Sequence, residues 1–138
     1  MKIEPATLQA YRQTEYRVFG DLPAILRVGV QCAALAALHV RYHTDCSAFL
    51  TAFNPEGTLT DALVNARQQQ VLLAKISALG LIAIPGCGQH PTGEWPGEPS
   101  YLVPALDCPR AERLGRMFQQ NAIIWSGADA VPQLLLLG

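Results

Sequence analysis

The chain has 138 residues, half of them apolar and 15% charged, with a net charge of −1. That is material for one domain, residues 1–138, with its own core and no compositional sign of disorder. It offers no basic field for nucleic-acid binding. The longest apolar run, Cys32 to Leu38, is far too short to span a bilayer, and no charged-then-apolar leader opens the sequence. The expectation is a cytoplasmic protein with no membrane or nucleic-acid partner. Its four cysteines form no CxxC pair and read as free thiols.

In chain order, residues 5–13 read as a short helix and 14–19 as a strand. Gly20, Asp21 and Pro23 form a turn before a second strand at 24–28. Residues 31–42, rich in Ala and Leu, read as a helix. The alternating run 47–53 reads as a strand stopped by Asn54-Pro55-Glu56-Gly57. Thr58 with Asp61 resembles a capping box, and Leu59, Leu63, Leu72, Ile76 and Leu79 make a helical stripe closed by Gly80. Residues 81–85 form an apolar run of the kind found in buried strands.

The segment 85–100 follows. Half of its sixteen residues are Gly or Pro, yet it carries His90, Glu94, Trp95 and Glu98. Connections this long are usually functional or disordered, and this one reads as an ordered loop shaping a site. A strand at 101–103 comes next. A helix opens at Asp107 or Cys108 with Pro109 in its first turn, burying Ala111, Leu114 and Phe118. The strands 122–125 and 133–137 close the chain.

From residue 47 the order is strand, helix, strand, strand, helix, strand. That predicts an α+β fold: a two-layer sandwich with a ferredoxin-like split βαβ core over about 47–126. An N-terminal β-β-α extension and a C-terminal strand widen the sheet. Pro104, near a central strand, requires a bulge or strand end. In this topology the strands ending near Asn54 and Pro85 run parallel, so their C-terminal ends share one edge. Asn54 and Glu56, the helix start near Asn65, the 86–98 loop and Gln119-Gln120-Asn121 are therefore expected to meet there. Such edges bind ligands in open α/β sheets, and the extension to this fold is by analogy.

The pieces Thr51-Ala-Phe-Asn-Pro, Asn65 followed by Arg67, Trp95-Pro-Gly-Glu, Ser100-Tyr-Leu-Val and Gln120-Asn-Ala-Ile-Ile-Trp resemble the bacterial domain of unknown function 3293. The resemblance runs from about Tyr16 to Leu137. It implies a small bacterial protein and carries over no mechanism and no catalytic residue.

Among the candidates, His90 suits acid–base chemistry near neutrality, with Glu94 or Glu98 to orient it; a structural hydrogen bond is the competing reading. Trp95 offers either a stacking surface or a plug for its own loop. Asn54 forms its turn and also stands at the favoured edge, beside Gln120 and Asn121. Asn65, early in its helix, is expected to face water. Arg67 has the geometry to hold a carboxylate or phosphate, against a solvated role. Cys87 as nucleophile requires a depressed pKa. His39 and His43 lie one helical turn apart as metal ligands require, but read as half-buried histidines.

No catalytic signature is present: no Walker, GxGxxG, GxSxG or HExxH pattern. The reading is a binding or regulatory module for an unidentified small molecule or peptide, without a cofactor or metal, using Asn54, Arg67, Trp95, Gln120 and Asn121. The alternative is a small enzyme in which His90 and Glu98 form an acid–base pair. A third reading makes the leucine-rich tail 131–137 a protein contact, leaving monomer and homodimer both open.

Overall fold

The chain folds as an α+β domain of four helices and seven strands in a computed structural model that describes residues 3–93 and 96–138. In order these are α1 (Pro5–Gln13), β1 (Glu15–Val18), β2 (Ala24–Leu26), α2 (Ala33–Arg41), β3 (Ser47–Leu50), α3 (Ala62–Ala78), β4 (Ile84–Gln89), β5 (Glu98–Pro104), α4 (Cys108–Met117), β6 (Ala122–Ser126) and β7 (Gln133–Leu136). The strands form one sheet in the order β2-β1-β4-β5-β3-β6-β7, every neighbouring pair antiparallel. Because β3 and β4 both run antiparallel to β5, they are parallel to each other and end at the same edge.

Alternation along the strands separates two cores. Ala48, Leu50, Val103 and Ile123 face Leu72 and Ile76 of α3 and Ala111 and Leu114 of α4. Their neighbours Phe49, Leu102 and Ile124 point the other way, toward Leu35 and Leu38 of α2. The expected two-layer sandwich is therefore corrected: α2 covers the opposite face from α3 and α4. The apolar stripe of α2 specifies which residues are buried, and the chain between β2 and β3 carries them across. Gly115 lets α4 sit close to the sheet, since a Cβ there would collide with Leu137 and come within 2.8 Å of Ile123.

Three local expectations also change. Gly86-Cys87-Gly88 lies in β4, paired with Arg17 and its neighbours on one side and Pro99 and its neighbours on the other, so the first part of the predicted loop, through Gln89, is strand instead. Backbone pairing on both sides outweighs the poor strand propensity of glycine. Helix α3 is capped by Asp61 alone, whose carboxylate accepts from the N–H groups of Leu63 and Val64. Its buried stripe is Asn65, Gln69, Leu72 and Ile76, whereas Leu59 and Leu63 are exposed. Pro104 ends β5 and hands over to Ala105 at φ +69°, the strand-end position it requires. No helix among the described residues is long and apolar enough to cross a membrane.

Candidate functional site

The polar half of the α3 stripe organises the shared edge. Beyond β3 the chain reaches Asn54 in the left-handed region (φ +49°, ψ +64°), which Asn tolerates better than most residues. Asn54 N–H donates to Asn65 Oδ1 at 2.9 Å, and Asn65 Nδ2 donates back to Asn54 Oδ1 at 2.9 Å. The Thr60 N–H also donates to Asn54 Oδ1, at 3.0 Å. Backbone donors thus fix both amide orientations and leave Asn54 Nδ2 to donate to Glu98 Oε2, at 2.7 Å. One turn on, Gln69 Oε1 accepts from Ala52 N–H at 2.9 Å while its Nε2 donates to the Pro99 carbonyl at 3.0 Å. Asn65 is therefore buried structure, where the sequence placed it in water; bonds to Asn54 and Thr60 replace those to solvent.

The segment before β6 joins the same edge. Gln120 Nε2 donates to the Phe53 carbonyl at 3.0 Å and to the Phe118 carbonyl at 3.3 Å, and Glu56 N–H donates to the Gln119 carbonyl at 2.7 Å. Asn121 Nδ2 donates to the Tyr11 hydroxyl at 3.1 Å, and its buried Oδ1 has no partner among the described residues. The Tyr16 hydroxyl in turn donates to the Tyr11 carbonyl at 2.6 Å, tying α1 down across the sheet.

Beneath α1, on the face that carries Phe49 and Ile124, lies a cavity of about 180 Å³. Its apolar wall includes Ala10, Tyr16, Phe49, Ala122, Ile124 and Leu134. Tyr11, Asn54, His90, Glu98, Ser100 and Gln120 supply polar groups. The space exists because small residues stand on this face: Gly88, Ser100 and Ala122 send nothing bulky into it. A cavity of roughly 150 Å³ accommodates benzene, which sets the scale of an occupant.

Burial raises the Glu98 carboxyl above the usual carboxylate range, partly offset by the bond from Asn54. Among the described residues Glu98 Oε1 has no hydrogen-bond partner, and no Lys or Arg forms an ion pair with Glu98. Burial likewise raises Tyr11 and Tyr16. His90 is buried, and its Nδ1 accepts from Thr92 N–H at 3.3 Å and lies 2.8 Å from the Thr92 hydroxyl, so the neutral ring carries its proton on Nε2. His90 and Glu98 share the cavity wall without a hydrogen bond between them.

Of the residues singled out from sequence, Asn54, Gln120, His90 and Glu98 line this cavity, and Asn121 stands behind it through Tyr11. Arg67 does not: it is exposed on α3, along a groove with Gln70, Val71, Ala74 and Lys75. Its helical position turns it away from the stripe of Asn65 and Gln69. Trp95 and Glu94 lie outside the described residues. Burial first, and Glu98 second, raise the Cys87 thiol, the opposite of what a nucleophile needs. His39 Nε2 is 2.8 Å from Ser47 Oγ in the α2 core, and burial lowers its pKa. Tyr11, Tyr16 and Ser100 were not foreseen as wall residues. Asn65 and Gln69 had a signal, polar residues in helical register with Leu72 and Ile76; Tyr11 had none.

Residues 50–123 match the family described as protein of unknown function (DUF3293). The match is narrower than the span from about Tyr16 to Leu137 and leaves Tyr11 outside it. No curated protein and no solved structure matches the chain.

Proposed function

The chain belongs to the DUF3293 family of proteins of unknown function, and from that premise we propose that it binds a small molecule in the cavity beneath α1. The observation that carries this reading is a half-buried carboxyl, one oxygen of which has no partner among the described residues, in the wall of an otherwise largely apolar cavity. Apolar pockets with a few convergent polar groups are the usual form of small-molecule sites. The hydrogen bonds converging on Asn54 support the reading further, because they hold Glu98 in one orientation. The frame around it we read as a ferredoxin-like split βαβ core widened at both edges, a reading supported by the strand order β4-β5-β3-β6.

Native mass spectrometry of gently purified protein tests the binding reading. A small-molecule adduct is expected on the wild type and not on Gly88→Leu. Gly88 lines the cavity, and the nearest atoms to a Cβ there, on Thr14 and Tyr16, are 3.8–4.0 Å away. The same adduct on both proteins, or none on either, counts against the site.

A second reading is supported by His90 and Glu98 sharing the wall: an acid–base pair acting on opposite ends of one bound molecule. Under it, His90→Gln abolishes turnover of the identified ligand while its affinity and the melting temperature stay near wild type. Equal loss of stability and turnover makes His90 structural.

A further inference from the structure

We propose that the occupant of this cavity is a small organic cation, an ammonium group on an apolar body about the size of a benzene ring, with its charge against Glu98. The inference rests on the cavity being a ligand site and goes further by naming the chemistry of the ligand. Three features of the wall converge on it.

The first is charge. The described wall contains the Glu98 carboxyl, and no Lys or Arg is among its residues. An anionic ligand entering this space would meet Glu98 with no Lys or Arg of the described wall to offset it. A carboxylate partly withdrawn from water without a counter-charge is costly, and an ammonium ligand supplies the counter-charge.

The second is hydrogen-bonding sense. Asn54 occupies Glu98 Oε2, and no donor among the described residues reaches Oε1. Gln120 uses its Nε2 on the Phe53 and Phe118 carbonyls, and among the described residues its Oε1 accepts from no donor. Both residues line the cavity and both offer acceptors, and an ammonium brings three donors and no acceptor. The bonds from Asn54 and to Phe53 fix both side chains before a ligand arrives, which reduces the ordering cost of binding.

The third is the apolar wall. Tyr16 and Phe49 meet edge to face with ring centroids 5.4 Å apart, and both border the cavity. Aromatic rings attract cations as well as apolar groups, so one wall suits both ends of such a ligand.

The test uses calorimetric titration of the full chain with three probes of one shape: benzylamine, benzyl alcohol and benzoate, in mildly alkaline buffer. Benzylamine is expected to bind, with benzyl alcohol about ten- to a hundredfold weaker, the range for losing a hydrogen bond between charged partners. Benzoate is expected to bind least. Glu98→Gln should reduce the affinity for benzylamine toward that for benzyl alcohol and leave benzyl alcohol nearly unchanged. The wild-type ranking stands as a test even if that variant fails to fold. Equal binding of benzylamine and benzyl alcohol, or preference for benzoate, overturns the cationic class and leaves the cavity a ligand site. No binding by any of the three overturns both.

Discussion

The two faces of the sheet are built differently. On one, Leu50, Val103 and Ile123 meet Leu72, Ile76, Ala111 and Leu114, and two helices fill the space completely enough that Gly115 has no room for a Cβ. On the other, α2 packs over one part while α1, none of whose residues is buried, spans a cavity. Large side chains on a strand face draw a helix into contact; Gly88, Ser100 and Ala122 leave a gap under one. The contrast teaches that the filled face supplies stability and the open face supplies a site. The hydrogen bonds from Asn65 and Gln69 connect them, because α3 on the filled side holds the loops that border the opening.

The largest break in that comparison is expected from Leu72→Ala, at a side chain with no exposure. It should cost about 2–5 kcal/mol in urea unfolding, whereas Leu134→Ala in the cavity wall should cost about 1 kcal/mol, because part of its surroundings is already empty. Next comes Asn65→Ala, which removes the partner of the Asn54 N–H and one donor to Asn54 Oδ1. A loss of about 1–3 kcal/mol is expected from chemical denaturation, with weakened ligand binding because Glu98 loses its fixed neighbour. Equal stability of wild type and Asn65→Ala would remove the link between the faces.

A third effect depends on pH. Burial raises the Glu98 pKa in the folded chain, so the folded state holds that proton more tightly than the unfolded state does. Its contribution is therefore present below the unfolded pKa and is lost as pH rises through the raised folded value. Without ligand, Glu98→Gln should melt higher than wild type at neutral pH and level with it in acid. Equal melting temperatures at every pH would contradict the burial of this carboxyl. The smallest effect is Gly88→Ala, whose methyl has room; it should stabilise by about 0.4–1 kcal/mol through the unfolded chain while weakening binding by occupying part of the cavity.

Much of the frame was legible because its signals are local. Pro5 to Gln13 contains a helix bounded as expected, and Asp107 with Pro109 starts α4, whereas the strand expected to run to Phe53 already ends at Leu50. The same edge was predicted to gather Asn54, Asn65, Glu98 and Gln120, and it does. What was not legible depends on distant partners. Gly86-Cys87-Gly88 becomes a strand through pairing with β1 and β5, which local composition does not report. The burial of Asn65 was missed because a polar residue near a helix start ordinarily faces water, and bonds to Asn54, eleven residues earlier, and to Thr60 reverse that. The stripe of α2 gave no sign of which sheet face it would cover. Tyr11 lines the cavity and accepts a hydrogen bond from Asn121, 110 residues away in sequence.

The most direct measurement is a heteronuclear NMR titration with benzylamine on the wild type and on Gly88→Leu. The account predicts wild-type shifts confined to Tyr11, Tyr16, His90, Glu98 and Ser100 and their neighbours, and none in the filled variant. Shifts along Arg67, Val71 and Lys75 on the outer side of α3, or shifts that persist unchanged in Gly88→Leu, would contradict it.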